Sequence, residues 1–197
     1  MAGTGVREVA RRAVHAEITS AAESLFREQG YDATTVDQIA ERVGMSQRTF
    51  FRHVGTKEDL VLAEFDRLSA RMVEDARSRP ETEDPWSSLR HAFEVVVGQR
   101  EDQAARERAT LMMSIVETSG TLRAAYFDRM DLVQRQLVDV LQERAPGAED
   151  RVLMRALVGA AFAALHAVSE NCELADGPDT FAADLDRILA RLAPTDV

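Results

Sequence analysis

Apolar positions recur along this chain at intervals of three and four, the repeat of an amphipathic helix rather than the alternation of a strand. Residues 1–8 read as a loose arm. Val14, Ile18, Ala21, Ala22, Leu25 and Phe26 then form the first stripe, ended by Gly30. Ile39, Ala40 and Val43 form a second and Phe50 with Val54 a short third. Leu60, Phe65, Leu68 and Met72 run to about Ser78, before the break from Pro80 to Pro85. Trp86, Leu89, Phe93, Val96 and Val97 mark a fifth helix from about Pro85 to Arg100. Leu111, Met112, Ile115 and Val116 mark a sixth, stopped at Thr118-Ser119-Gly120. Leu122, Tyr126, Met130, Val133, Leu137 and Leu141 make a seventh, closed by Pro146-Gly147. An eighth spans about Glu149 to Cys172, and a ninth about Thr180 to Leu192 after Gly177-Pro178. With no alternating run of β-branched and aromatic residues, the pattern predicts an all-α fold of about nine helices.

The densest punctuation lies between Thr34 and Leu60. Three helix starts follow one another, each with its own cap: Thr35 with Gln38 three residues on, Ser46 after Gly44, and Thr56 with Asp59 three residues on. Gly44 supplies the left-handed conformation a sharp interhelical turn needs. After Ser46, Phe50 and Val54 anchor a helix of about two turns inward, leaving Gln47, Arg48, Phe51 and Arg52 around its other faces. A short helix with an amide, a guanidinium and an aromatic ring near its N-terminal end has the geometry of a recognition helix in the DNA major groove.

At these residues the chain resembles the tetracycline-repressor (TetR) family of bacterial transcription regulators. The matching residues are Thr34-Thr35-Val36, Ile39-Ala40, Gly44-Met45-Ser46, Thr49-Phe50-Phe51-Arg52-His53-Val54 and Lys57-Glu58-Asp59-Leu60. Phe51 replaces the family's usual Tyr and Val54 its usual Phe; the lost hydroxyl leaves Phe51 only apolar contact with a thymine methyl. The resemblance implies a DNA-binding helix-turn-helix domain over 1–58 and a ligand-binding and dimerisation domain over 59–197. Gln47 and Arg48 would read base edges, Thr35, Thr49, His53 and Lys57 would hold phosphates, and Arg52 could do either. The fourth helix, joining the two regions, would act as a lever for a ligand switch.

Charge qualifies this picture. The chain carries 24 Lys and Arg against 34 Asp and Glu, net −10, an unusual balance for a DNA binder. Residues 1–60 hold 8 of those cations and 9 of the anions, which leaves 16 and 25 for the rest. Binding would then rest on a few placed cations and on amides at helix N-termini. Arg7, Arg11 and Arg12 cluster near the start, equally compatible with a solvated helix end and with phosphate contact.

Ten glycines, five prolines and 45% hydrophobic residues suit a helical globular core. The start has no apolar region long enough for a signal peptide and no segment is read as long enough to span a membrane, so a cytoplasmic location is expected. The single cysteine, Cys172, excludes an internal disulfide and is read as packing. No phosphate loop, nucleophile elbow or His-Glu-x-x-His occurs, so no catalytic residue, metal ligand or cofactor is expected. His166 and Glu170, four apart, are read as a surface hydrogen bond.

Helix eight carries small residues at Ala156, Ala160, Ala164 and Ala167 and helix nine a stripe of Leu185, Ile188, Leu189 and Leu192, so both can pack inward and still offer a seam. The resemblance implies that the seam joins a homodimer. It also implies a ligand cavity, for which the candidates are Phe93, Val97, Met112, Met113, Val116, Tyr126, Phe127, Met130, Phe162 and His166, and helix eight resembles a branch sensing acyl-thioester-type or other bulky hydrophobic metabolites. The implied partners are double-stranded DNA with an inverted-repeat operator, released by a small hydrophobic effector. The sequence leaves two other readings open: a helical binding protein whose DNA-binding module is vestigial, and an activator rather than a repressor.

Overall fold

The computed structural model describes residues 3–144, 151–171 and 178–193. Among these the chain forms nine helices and no strand: α1 (Gly3–Gln29), α2 (Val36–Arg42), α3 (Gln47–Val54), α4 (Lys57–Ser78), α5 (Pro85–Gln99), α6 (Gln103–Thr118), α7 (Gly120–Arg144), α8 (Arg151–Asn171) and α9 (Pro178–Leu192). The arm expected over residues 1–8 is corrected: α1 begins at Gly3, since Arg7, Ala10, Arg11 and Arg12 are all strong helix formers. The expected stops at Pro146-Gly147 and at Gly177, and Cys172, lie outside the described residues.

The helices divide into two compact units. One comprises residues 1–64 with 112–126, the other 65–111 with 127–197, so a stretch well beyond residue 58 packs with the N-terminal helices. In the first unit Ile18, Leu25, Phe26, Ile39, Phe50, Leu60 and Leu62 are buried, as are Ile115, Val116, Leu122 and Tyr126 from the α6–α7 corner. Each fully buried Leu, Ile or Phe contributes about 1.5–3 kcal/mol. α2 and α3 are too short to persist alone and depend on this packing.

The second unit has its core between the later parts of α4 and α7 and the helices α5, α8 and α9. Trp86, Leu89, Phe93, Leu137, Leu141, Phe162, Phe181 and Leu189 are among its larger inward side chains. α8 is long and apolar enough to cross a membrane by length and composition, contrary to the sequence-based expectation. It packs along α9 and buries Met154, Val158, Ala161, Phe162, Ala164 and Val168.

Two polar hubs tie the second unit together. The Arg144 guanidinium donates to the Ala76 carbonyl (2.8 Å), the Ser88 hydroxyl (2.8 Å) and the Pro80 carbonyl. Glu83 accepts two hydrogen bonds from Arg79, each at 2.8 Å, and one from Ser88 at 2.9 Å. His91 Nδ1 lies 3.1 Å from Glu83 and 2.8 Å from the Ser87 carbonyl, which can only accept, so this nitrogen carries the proton. Arg79 above all, then Ser88, holds the Glu83 carboxyl down at about 2 against the opposing effect of burial.

Candidate nucleic-acid interface

The three caps read from the sequence are present. The Thr35 hydroxyl accepts from the Gln38 amide at 3.2 Å while the Gln38 side chain accepts from the Thr35 amide at 2.8 Å, a reciprocal box that starts α2. Ser46 accepts from the Thr49 amide at 3.2 Å and starts α3. Thr56 and Asp59 form a second reciprocal box at the head of α4, at 3.0 and 2.8 Å. Gly44 turns the chain between α2 and α3 with φ +68°, which a side chain would strain.

Within α3, Phe50 is fully buried and its ring meets Phe51 edge-on, centroids 5.9 Å apart. Gln47, Arg48 and Arg52 are exposed, and Phe51 is 47% exposed, a large apolar ring left in water. The outward face thus presents two guanidiniums, an amide and a ring together. Thr49 and His53 are half-buried, and the Thr49 hydroxyl lies 2.9 Å from the Ser46 hydroxyl. Thr35 is exposed at the mouth of α2.

Lys57 departs from its expected place. Its ammonium donates to the carbonyls of Tyr31 (2.8 Å) and Thr34 (2.9 Å) and lies 4.0 Å from the centroid of the Tyr31 ring. Partial burial lowers its pKa. Lys57 therefore joins the head of α4 to the turn between α1 and α2, a correction to its reading as a phosphate-facing cation. Glu58 completes the joint by accepting from the Tyr31 hydroxyl at 3.0 Å; burial and this bond to a carboxylate both raise the Tyr31 pKa. Tyr31, Asp32 and Ser119, which draws a 2.8 Å hydrogen bond to Asp32, were not singled out from the sequence as site residues. Their partners are 26 or more residues distant, and no local pattern signals them.

The expected ligand residues do not share one unit. Met112, Met113, Val116 and Tyr126 group with the first unit, Phe93, Val97, Phe127, Met130, Phe162 and His166 with the second. Phe127 is 51% exposed, which corrects its reading as a cavity wall. Phe93 and Phe162 meet edge-on at 5.2 Å as core partners, Met130 packs half-buried against the same core, and His166 lies 3.3 Å from Glu170 on a half-exposed surface. Phe93 and Val97 do line an open groove of about 180 Å³ between α5 and α9, with Arg90, His91, Glu94 and Asp186 at its edges.

Three of the residues expected at the dimer seam are corrected. Ala164, Leu185 and Leu189 are at most 5% exposed and belong to the second unit's own core. Ala160 and Ile188 are half-buried. The outward face of α8 is made by Val152, Leu153, Ala156, Ala163 and Ala167, and Leu192 is exposed at the end of α9.

Comparison with known proteins agrees with the all-α fold and its N-terminal helix-turn-helix. Residues 18–63 match the bacterial regulatory proteins of the tetR family, and residues 83–196, more than half of the chain, match the MftR C-terminal domain of TetR regulators. The chain is 32% identical over 148 residues to the HTH-type transcriptional regulator TcmR of Streptomyces glaucescens, covering 72% of this chain and 65% of that protein. It is 28% identical to the HTH-type transcriptional repressor AcnR of Corynebacterium glutamicum, covering 82% and 89%. The chain thus spans less than two thirds of the length of TcmR, and 34% of mycobacterial regulators that it also matches. Thermus thermophilus FadR, a TetR-family repressor solved with lauroyl-CoA, shares the fold with a TM-score of 0.59 at 21% identity, over 93% of this chain and 99% of that one. The capped helix-turn-helix and the C-terminal match together identify the protein: the chain belongs to the TetR family of bacterial regulatory proteins.

Proposed function

We propose that the chain is a ligand-responsive transcriptional repressor that binds an inverted-repeat operator as a homodimer in the cytoplasm. The observation that carries this reading is the split face of α3: Phe50 wholly inside, and Gln47, Arg48, Phe51 and Arg52 together in water at the end of a capped turn. Arg48 and Gln47 read base edges, the first through a guanidinium fork that matches guanine N7 and O6. Arg52, Thr49, His53 and the amides at the heads of α2 and α3 hold phosphates. Regulators and repressors among the relatives support the same function.

The homodimer is formed across the outward face of α8 and the end of α9, where Leu153, Ala156, Ala163, Ala167 and Leu192 are exposed. The effector is an apolar or acyl-bearing metabolite that weakens operator binding; the lauroyl-CoA held by the structurally similar FadR supports that class. Its coupling to DNA is expected at about 1–3 kcal/mol and must be equal in both directions.

Selection of bound duplexes from a random pool, followed by footprinting, tests the reading. Two half-sites in inverted repeat, about 34–36 Å apart along the duplex, are expected of a two-fold dimer. A single unrepeated site would overturn it.

A further inference from the structure

Outside residues 1–64, only 112–126 belong to the unit that holds the helix-turn-helix, and Ser119 is the one residue between α6 and α7 there. It is 2% exposed. Its amide donates to the Ile115 carbonyl at 3.1 Å, its carbonyl accepts from the Arg123 amide at 2.9 Å, and its hydroxyl accepts from the Leu122 amide at 3.5 Å. The remaining hydroxyl proton is donated to Asp32 Oδ1 at 2.8 Å, 87 residues away in sequence. A hydrogen bond to a carboxylate is about twice as strong as one between neutral groups.

Asp32 lies in the turn from which α2 starts. That turn is fixed from inside: the Thr34 amide donates to the Tyr31 carbonyl at 3.1 Å, the Thr34 hydroxyl to the Gly30 carbonyl at 2.7 Å, and Lys57 grips two of its carbonyls. Thr35, the next residue, caps α2. A turn held this stiffly cannot yield by itself, so a displacement of Asp32 is passed to α2 and to α3 packed on it. In the other direction, α6 and α7 run on from the corner into residues of the second unit.

We propose that Ser119 is a positioning residue for DNA reading: through Asp32 it holds the turn that places α2 and α3, so that the α6–α7 corner and the DNA-facing helices sense each other's state. The inference rests on the DNA-binding function proposed above and adds to it a residue far from the helix-turn-helix.

Amide hydrogen exchange on the full-length protein, free and bound to the selected operator duplex, tests it, with Ser119→Ala, Asp32→Ala, the double variant and Asp32→Asn. Operator binding is expected to slow exchange at Leu122 and Arg123 in the wild type and to leave the corner unchanged in Asp32→Ala, a variant that keeps the Leu122 cap intact and serves should Ser119→Ala not fold. Each single alanine variant is expected to lose about five- to tenfold in operator affinity, and the double variant no more than either one, as for two partners of one contact. Asp32→Asn, which keeps an acceptor oxygen but not the charge, should fall between wild type and Asp32→Ala. Additive losses, or corner protection that survives in Asp32→Ala, would overturn the inference. Wild-type protein that binds its duplex with no change at the corner removes this inference alone, whereas failure to bind any duplex removes it together with the DNA-binding function.

Discussion

The Lys57 ammonium is held by both halves of Tyr31, 2.8 Å from its carbonyl oxygen and 4.0 Å from the centroid of its ring. This cation therefore stabilises the folded head before any DNA arrives. Lys57→Ala should cost about 1.5–3 kcal/mol, the range for hydrogen bonds to a charged group, measured by urea unfolding. Operator affinity should fall equally on all sequences while the slope of log K against log salt stays unchanged. A slope reduced by about one would return Lys57 to the phosphate contacts.

Arg48 should fail differently. It is exposed near the start of α3, whose N-terminal end faces the bases in the proposed docking. Arg48→Ala is expected to lose about 1–3 kcal/mol on the operator and to relax preference at one base pair per half-site. Titrations against single-base operator variants check this; a uniform loss across all of them would make Arg48 a phosphate contact.

Ala163 and Ala164 are neighbours with opposite expected outcomes. Ala163 is exposed on α8 and Ala164 is 5% exposed in the core. Ala163→Arg should leave helicity and melting intact and give monomers by light scattering. Ala164→Arg should lose stability by about 3–5 kcal/mol, the cost of an unpaired buried charge. A dimer that survives Ala163→Arg would place the partner elsewhere.

Glu83 sets an acid limit on the second unit. Its carboxyl is held at about 2, below the ordinary 4.5, by Arg79 and Ser88. Because the folded-state pKa is depressed, the stabilisation is complete above about 4.5 and is lost as pH falls through about 2. Glu83→Gln should remove it, so that the difference in unfolding free energy between wild type and variant shrinks from pH 7 to pH 3. A constant difference over that range would mean that the carboxylate's charge contributes nothing.

What the sequence made legible was local. The boxes at Thr35 and Thr56 and the cap at Ser46 join residues three apart, so spacing alone reveals them, and Phe50 had to be inside once Gln47, Arg48 and Arg52 were outside. The buried and exposed alanines of α8 could not be told apart because the helix is apolar on nearly every side, which leaves the pattern without a phase: Ala163 is exposed while its neighbour Ala164 is buried in the core. Lys57 looked like a surface cation because its acceptors are backbone carbonyls, and carbonyls have no sequence signature. That residues 112–126 pack with the first unit was illegible for a related reason, since Ser119 and Asp32 meet only in the folded chain.

The contribution of residues 112–126 to the first unit bears on any attempt to exchange modules between regulators. A chimera spliced near residue 58 would transplant Asp32 and leave its donor behind, setting the new head against a foreign corner. The transferable module is discontinuous, residues 1–64 with 112–126, and a hybrid that carries both pieces should keep the parental operator preference where a simple N-terminal graft loses affinity.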